Sequence, residues 1–169
     1  MTKTQPVVGV VMGSDSDLPV MQSCLDLLDE LDVPHEVRVI SAHRTPDVAQ
    51  SYAAAAAERG VKVLIAAAGM SAALSGVLAA QTQLPVIGVP MASGPLSGVD
   101  AALSTMQMPP GVPVGCMAVG EPGAKNAAVY AAAILALGDE ELAGRLSEFR
   151  SAQRRKVVEA DASLRQRGG

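Results

Sequence analysis

Five short runs of apolar residues alternate with amphipathic segments along this chain, and the alternation limits the folds that it can adopt. In the third run, residues 61–67, every residue except Lys62 is apolar, which is typical of a parallel strand covered on both faces. Strands that alternate with helices predict a doubly wound parallel sheet with right-handed crossovers. We therefore predict a single α/β domain of three layers, with the flavodoxin-like strand order 2-1-3-4-5 and an extra C-terminal helix. The predicted strands are residues 7–12, 35–40, 61–67, 85–89 and 112–119, and the predicted helices are 18–32, 46–59, 77–80, 100–106, 127–137 and 140–165.

The last amphipathic segment follows a helix that already completes the sheet, so its place in the fold is a separate question. It carries six large apolar residues among many charges: Leu142, Leu146, Phe149, Val157, Val158 and Leu164. The residues leave two alternatives open, because the helix can pack back on its own domain or lie as an arm on a neighbouring subunit. We divide the chain into an α/β domain, residues 1–138, and a C-terminal helical arm, residues 139–169.

Charge and composition exclude several classes of function. The net charge is -4, with one Phe, two Tyr and no Trp, so the basic surface and aromatic platforms of a nucleic-acid-binding protein are missing. No charged-then-apolar signal segment opens the chain, and no apolar run is long enough to span a bilayer. Cys24 and Cys116 lie far apart in apolar surroundings, which predicts two buried free thiols and a reducing, cytoplasmic location. Two histidines and two cysteines without close spacing predict no metal site.

The loops after the first four predicted strands are rich in glycine or serine, and we expect them at one edge of the sheet, where such folds bind ligands. The first loop contains Gly13, Ser14, Asp15, Ser16 and Asp17. Its glycine, hydroxyls and backbone N–H groups at a helix N-terminus suit a phosphate. Two aspartates repel a phosphate, so we expect at least one of them to contact another group, such as ribose hydroxyls. The alternative is a turn in which Ser and Asp cap a helix.

The second loop, residues 41–46, places one of the two histidines beside an arginine, between a predicted strand and a predicted helix. Thr45 can cap that helix through its side chain. His43 can move a proton near neutral pH, and Arg44 can hold a phosphate or carboxylate with two N–H groups. The alternative is a surface imidazole and a solvated charge. The other histidine, His35, has no such setting, and we predict a surface residue at the entry to a strand.

The third loop, residues 69–76, consists of small or apolar residues and has no ionisable group. Its backbone N–H groups, with Ser71 and Ser75, can approach a flat ligand closely and donate to a carboxylate or to CO2. The alternative is close packing of a helix on a strand. The fourth loop, residues 90–98, is longer and rich in Ser, Gly and Pro.

Three functions known on similar folds lack their signals. No G-x-G-x-x-G follows the first strand, as a dinucleotide site requires. Aromatic residues that stack on a flavin are scarce. Residues 66–68 are all alanine, at the point where a phospho-accepting receiver domain needs an aspartate.

Motifs spread over nearly the whole chain carry a more specific signal. They are Met12-Gly13-Ser14-Asp15-Ser16-Asp17, Ser41-Ala42-His43-Arg44-Thr45-Pro46, Pro85-Val86-Ile87-Gly88-Val89-Pro90, Gln107-Met108-Pro109, Gly111-Val112-Pro113 and Asn126-Ala127-Ala128. On these motifs the chain resembles the purine-pathway family of 5-(carboxyamino)imidazole ribonucleotide mutases and their close relatives, the aminoimidazole ribonucleotide carboxylases.

The resemblance implies a mononucleotide substrate bound by the α/β domain, with no metal and no organic cofactor. It implies that Ser14, Asp17 and Arg44 bind the ribose phosphate portion and that His43 is the general acid/base. CO2 then leaves the exocyclic nitrogen, stays in a dry pocket and adds at C4 of the imidazole, where His43 moves the departing proton. A homo-octamer with C-terminal helices crossing between subunits is also implied, which favours the arm. The predicted site is His43 for catalysis and, for substrate binding, Gly13, Ser14, Asp15, Ser16, Asp17, Ser41, Ala42, Arg44, Gly69, Ser71, Leu74 and Ser75.

The third loop departs from the pattern Gly-Gly-Ala-Ala-His-Leu-Pro-Gly of the bacterial mutases, because Ala73 replaces the histidine and Ser75 the proline. This loop, and Glu121 near Lys125, are similar to the carboxylase branch, which takes free CO2 and the unmodified aminoimidazole. Arg44 matches the mutase, since the carboxylases often have Lys at that point. We predict the mutase, an isomerase; the alternatives are the carboxylase, a lyase, and a non-catalytic mononucleotide-binding domain. Whether a separate ATP-dependent enzyme supplies the carboxylated substrate stays open.

Overall fold

The computed structural model describes residues 5–167 and contains a parallel sheet of five strands in the order β2-β1-β3-β4-β5. This confirms the predicted fold class and strand order. Residues 1–4 of the predicted α/β domain and residues 168–169 of the predicted arm lie outside the described residues. The strands are β1 (Val8–Met12), β2 (His35–Val39), β3 (Val63–Gly69), β4 (Val86–Met91) and β5 (Gly115–Cys116). The helices are α1 (Leu18–Glu30), α2 (Pro46–Ala54), α3 (Leu74–Ala79), α4 (Val99–Met106), α5 (Glu121–Leu135) and α6 (Glu140–Arg167), with 3-10 turns at Asp15–Asp17 and Ala136–Gly138.

Alternating side chains along the central strands build two separate cores, and these produce the three layers. On β1, Val10 joins a core shared with α1 and α5, whereas Val11 joins a core shared with α2 and α3. Ile65 and Leu64 divide β3 between the two cores in the same way. Because both faces of these strands are covered, the open positions for a ligand are at the strand ends.

Several elements have other bounds than predicted, and the differences in β5, α5 and α2 have clear physical reasons. β5 is limited to Gly115–Cys116, because it is the edge strand and Pro113 has no N–H to donate to the ladder. α5 begins at Glu121, before the predicted residue 127, since Pro122 suits the first turn of a helix. α2 ends at Ala54, before the predicted residue 59, where the chain tightens into turns bonded over three residues.

Two predictions about single side chains are wrong. His35 begins β2 as predicted, but its side chain is only 13% exposed, and its Nδ1 lies 3.0 Å from the carbonyl oxygen of Val33. Cys116 is only half-buried, because it belongs to the short edge strand. Cys24 is buried as predicted, and burial raises the pKa of its thiol to about 12. Both thiols are free.

α6 is anchored on its domain through its first half only. Leu142 and Leu146 are buried, and Arg145 Nε donates a hydrogen bond of 2.8 Å to the carbonyl oxygen of Leu31. Residues 153–167 are all exposed, so the second half of the helix projects beyond the domain. None of the helices within residues 5–167, α6 included, is long and apolar enough to cross a bilayer. The division of the chain at residue 138 stays a prediction.

Candidate functional site

The carboxyl ends of β1 to β4 meet at one edge of the sheet, and the loops that follow them line a cavity of about 450 Å³. A volume of this size lies in the range of small-molecule sites. The cavity wall contains most of the predicted site residues: Gly13, Ser14, Ser16, Asp17, Ser41, Ala42, His43, Arg44, Gly69, Ser71 and Leu74. Asp15 and Ser75 are not part of that wall.

The loop after β2 is held together by hydrogen bonds between its own ends. Thr45 Oγ1 donates to the carbonyl oxygen of Ser41 and accepts from the Ser41 N–H, both at 3.0 Å. Thr45 is the N-cap residue of α2 and Pro46 follows in the first turn, as predicted, but the Thr45 side chain makes no capping hydrogen bond. Bonding back to Ser41 instead closes the loop, so that Ala42 and His43 are presented at its tip and the imidazole is exposed.

Arg44 connects this loop to the loop after β1. Its Nη2 donates to the carbonyl oxygen of Gly13 at 2.9 Å, and its Nε donates to Ser41 Oγ at 3.3 Å. Ser41 Oγ also accepts the backbone N–H of Arg44 at 3.2 Å. The guanidinium is thus oriented before any ligand arrives, with its remaining N–H groups left for a ligand.

In the loop after β1, the two aspartates have different surroundings. Asp15 is exposed, and its carboxylate accepts a hydrogen bond from Ser14 Oγ at 3.3 Å. Asp17 is half-buried in the cavity wall. Burial raises the pKa of the Asp17 carboxyl above its ordinary value of 3.8; a backbone hydrogen bond at Ser14 opposes this rise, and the charge of Asp15 adds to it. Only the Asp17 carboxylate lies in the cavity wall, so a phosphate bound there would be repelled by one aspartate and not by two.

The hydroxyls of Ser14 and Ser16 lie together beside Asp17. Ser16 Oγ donates to Ser14 Oγ at 2.8 Å, and the Ser16 N–H donates to the same oxygen at 3.3 Å. Ser14 therefore caps the 3-10 turn at Asp15–Asp17, as the alternative interpretation predicts for the serine, whereas the Asp17 side chain makes no capping hydrogen bond to α1. Capping and ligand binding are compatible here, since both serines also line the cavity.

The segment after β3 gives the cavity an apolar side. This side is lined by Ala68 near the end of β3 and by Met70, Ala73 and Leu74 after it, with Ser71 as a polar neighbour. The N–H groups of Ala72 and Ala73 are already bonded to the carbonyl oxygens of Met70 and Ser71, at 2.9 and 2.7 Å. These two amides are therefore not the free donors that the sequence suggested for a carboxylate.

Ser75 differs from Ser71 because α3 begins at Leu74, earlier than predicted. Ser75 is 3% exposed, and a Cβ added at Gly88 of β4 would lie 3.3 Å from its Oγ. The side chain thus packs between α3 and β4, which agrees with the packing alternative for this part of the loop.

Four lining residues were not predicted from the sequence: Ala68, Met70, Ala73 and Ser93. Ser93 could have been predicted as a lining residue, because it belongs to the serine- and glycine-rich fourth loop at the same sheet edge. The two alanines have no functional group that marks them. Within residues 5–167, no group of three or more His, Cys, Asp and Glu side chains is arranged to hold a metal ion.

The arrangement is suited to a ligand with one polar, anionic end and one flat, less polar end. Arg44 and the serine hydroxyls offer donors to an anion, and Asp17 offers an acceptor to a hydroxyl. His43 offers a group that can carry a proton. The apolar side offers space where water binds poorly.

Comparisons with known proteins place the chain among purine-pathway proteins. The family model for AIR carboxylase matches residues 7–156. The N5-carboxyaminoimidazole ribonucleotide mutase of Bacillus subtilis (strain 168) is 52% identical over 160 residues, which cover 95% of this chain and 99% of that protein. The protein of the same name from Escherichia coli (strain K12) is 52% identical over 152 residues, 90% of each chain. The crystal structure of Treponema denticola PurE is similar with a TM-score of 0.83 at 29% identity, covering 94% of this chain and 98% of that chain.

Proposed function

Because the chain belongs to the AIR carboxylase family, we propose that it is an isomerase of purine biosynthesis that converts 5-(carboxyamino)imidazole ribonucleotide to 4-carboxy-5-aminoimidazole ribonucleotide. Relatives that share about half of its residues are named for that mutase, which favours the mutase over the carboxylase that the third loop left open. The observation that carries the proposal is the presence of His43, Arg44 and Asp17 in the wall of one cavity.

The polar side of the cavity suits the ribose phosphate of the substrate. Arg44 is oriented by Gly13 and Ser41 and keeps N–H groups for a phosphate. Ser14 offers a hydroxyl to the same phosphate. Asp17, half-buried beside it, offers its carboxylate to a ribose hydroxyl. The imidazole then lies toward the apolar side formed by the segment after β3.

The reaction moves one carboxyl group and one proton within the substrate. The bond between the exocyclic nitrogen and the carboxyl carbon breaks, and the nitrogen takes up a proton as CO2 leaves. C4 of the imidazole forms a bond to CO2 and then loses its own proton. His43 supplies the first proton and accepts the second, so its ring ends in the state in which it began. Holding CO2 beside C4 replaces a bimolecular addition with one inside the cavity.

The decisive experiment measures steady-state turnover with two substrates in separate assays. One assay contains freshly prepared carboxyamino substrate without added bicarbonate, and the other contains aminoimidazole ribonucleotide with varied CO2. The mutase converts the first substrate fast and needs very high bicarbonate for the second. Efficient use of the second at modest CO2, with the first used only as fast as it decays, would contradict the proposal.

A non-catalytic mononucleotide-binding domain is the alternative of another class. It predicts nucleotide binding without turnover in the wild type, and no further loss in His43→Ala. Turnover in the wild type that His43→Ala abolishes, with nucleotide binding retained in a titration, excludes that alternative.

We also propose that the chain forms a homo-oligomer, an octamer by the family resemblance, in which the second half of α6 packs on a neighbouring subunit. Its support is the exposure of every residue in 153–167, including Val157, which is 70% exposed. Sedimentation equilibrium should give a mass of several chains for the wild type. Val157→Glu combined with Val158→Glu should shift it to smaller species, whereas Leu137→Ala, outside α6, should not. A monomeric wild type would contradict the proposal.

The proposed substrate also bears on its supply. Efficient carboxylation of an amine at low bicarbonate requires activation of the bicarbonate, so we propose a separate ATP-dependent carboxylating enzyme upstream and a shared cytoplasmic location. Product formation from aminoimidazole ribonucleotide, ATP and bicarbonate should require a cell extract in addition to this protein. Product formation at the same rate without extract would contradict this.

A further inference from the structure

Thr45 lies outside the cavity wall, yet its side chain bonds to the loop that carries His43. Its backbone N–H and its Oγ1 hydroxyl both donate to the carbonyl oxygen of Ser41, at 2.9 and 3.0 Å. The same Oγ1 accepts the N–H of Ser41 at 3.0 Å. Three hydrogen bonds thus join residues 41 and 45 and close a ring around the residues between them.

Both ends of this ring are fixed to regular structure. Ile40, which precedes Ser41, is 1% exposed, and its N–H donates to the carbonyl oxygen of Met12 in β1 at 2.8 Å. At the other end, the carbonyl oxygen of Thr45 accepts the N–H of Ala49 in α2 at 3.1 Å. The Thr45 side chain therefore ties the start of α2 to the end of β2, and the loop cannot widen without breaking its bonds.

The Thr45 hydroxyl makes these bonds in place of the bond that is usual for a threonine before a helix. An N-cap threonine commonly accepts the N–H of the second or third helical residue, and Thr45 makes no such bond. Asp47 and Val48 hold those two positions and are exposed, so water can bond to their N–H groups. A departure from local preference beside a candidate site points to a role at that site.

The backbone of this loop sets the place of the His43 ring. The imidazole is exposed. In the part of the chain that the structure describes, the side-chain hydrogen bonds of the loop are made by Ser41, Arg44 and Thr45, and not by the imidazole. Arg44 has a further contact, to the carbonyl oxygen of Gly13. Loss of the Thr45 bonds should therefore displace the imidazole more than the guanidinium.

We propose that Thr45 is a positioning residue for proton transfer by His43, and that it acts through the loop without touching the substrate. This inference rests on the proposed function. Proton transfer requires the ring within hydrogen-bond reach of the substrate atom, and a misplacement of about 1 Å can lower a rate about 100-fold. The ribose phosphate has Arg44 and the serine hydroxyls as partners, so its binding depends less on the place of the ring. The Thr45 hydroxyl should therefore act on kcat and not on affinity.

Two variants of Thr45 and one control, assayed well below their Tm, test this role. Thr45→Val keeps the shape and removes the hydroxyl, so it should lower kcat about 10- to 100-fold and leave the Kd of the product nearly unchanged. Thr45→Ser keeps the hydroxyl and should retain most of kcat. Ser51→Ala is the matched control, because Ser51 Oγ also donates to a backbone carbonyl four residues earlier, that of Asp47, at 2.8 Å, and lies outside the cavity wall. It should leave kcat unchanged.

A second measurement does not depend on turnover. The chain has two histidines, so 13C NMR of protein labelled at the histidine Cε1 gives one signal for His43 and one for His35. Because His35 lies at the other end of β2, it serves as the internal reference. Relaxation of the His43 signal should show a more mobile ring in Thr45→Val than in the wild type or in Thr45→Ser, whereas the His35 signal should stay the same.

The outcomes separate the positioning role from the proposed function. A wild-type kcat in Thr45→Val, or unchanged relaxation of the His43 signal, would overturn the inference. An equal fall of kcat in Thr45→Ser would also overturn it, since the hydroxyl is then not the group that matters. Absence of turnover in the wild type would instead refute the proposed function, and the NMR comparison would still test whether Thr45 holds the ring of His43.

Discussion

Replacing Arg44 with lysine tests whether one guanidinium both joins two loops and binds the substrate. The arginine donates to Gly13 O at 2.9 Å and to Ser41 Oγ at 3.3 Å, and its other N–H groups are left for the phosphate. Lysine keeps the charge but has no planar fork, so it cannot make the loop contacts and a two-pronged phosphate contact together. A hydrogen bond to a charged group contributes about 1.5 to 3 kcal/mol. Losing one such bond weakens substrate binding about 10- to 150-fold.

The assay is a titration of each variant with the product nucleotide, together with steady-state kinetics. Arg44→Lys should raise Kd and KM by that factor and lower kcat much less. Arg145→Lys is the matched control, because Arg145 also donates to a backbone carbonyl, that of Leu31, but far from the cavity. Arg145→Lys should lower the free energy of unfolding by about as much as Arg44→Lys does, and it should leave the Kd of the product nucleotide unchanged. An unchanged Kd in Arg44→Lys would refute the assignment of Arg44 to the phosphate.

Three further predictions concern single side chains. His43→Asn should lower kcat by about 100-fold or more and leave the Kd of the product nearly unchanged, because the amide is polar but cannot carry a proton; near-normal turnover would remove His43 as the proton carrier. Asp17→Asn should raise the Tm at pH 7, because a raised pKa means that the ionised carboxyl destabilises the folded chain relative to the unfolded one. That gain should disappear well below pH 3.8, where the carboxyl is protonated in both states; equal Tm values at pH 7 would show that burial of the carboxylate costs nothing. Tyr52→Phe should lower the free energy of unfolding in urea by about 1 kcal/mol, since Tyr52 Oη donates a 2.8 Å hydrogen bond to Glu36, and kcat should stay the same because Tyr52 is not in the cavity wall.

The fold follows from sequence patterns that depend on local chemistry. Apolar strands and amphipathic helices alternate, and connection rules then leave few topologies. The length of β5 depends on the position of this strand at the edge of the sheet, which the local sequence pattern does not determine. There one neighbour supplies all the ladder bonds, and Pro113 stops the pairing. A pattern of β-branched residues over 112–119 does not contain that information.

The site was predictable at the level of loops and less so at the level of side chains. Both Asp15 and Asp17 follow β1, and only the 3-10 turn decides that Asp17 faces the cavity. Ser71 and Ser75 belong to one loop, and the start of α3 decides which hydroxyl stays accessible. A shift of one residue in a turn changes which of two side chains faces the cavity. The sheet edge at which the loops meet is not affected by such a shift.

The anchoring of α6 has a mechanical consequence for any assembly of this chain. Residues 153–167 extend about 22 Å beyond the anchored half, at about 1.5 Å per residue. A tilt of about 10° at the anchor would move the tip of a rigid helix of that length by about 4 Å. The exposed half of α6 would therefore tilt about Leu142 and Leu146, which are buried at its base. Small repacking at two leucines decides where a surface far from them is presented.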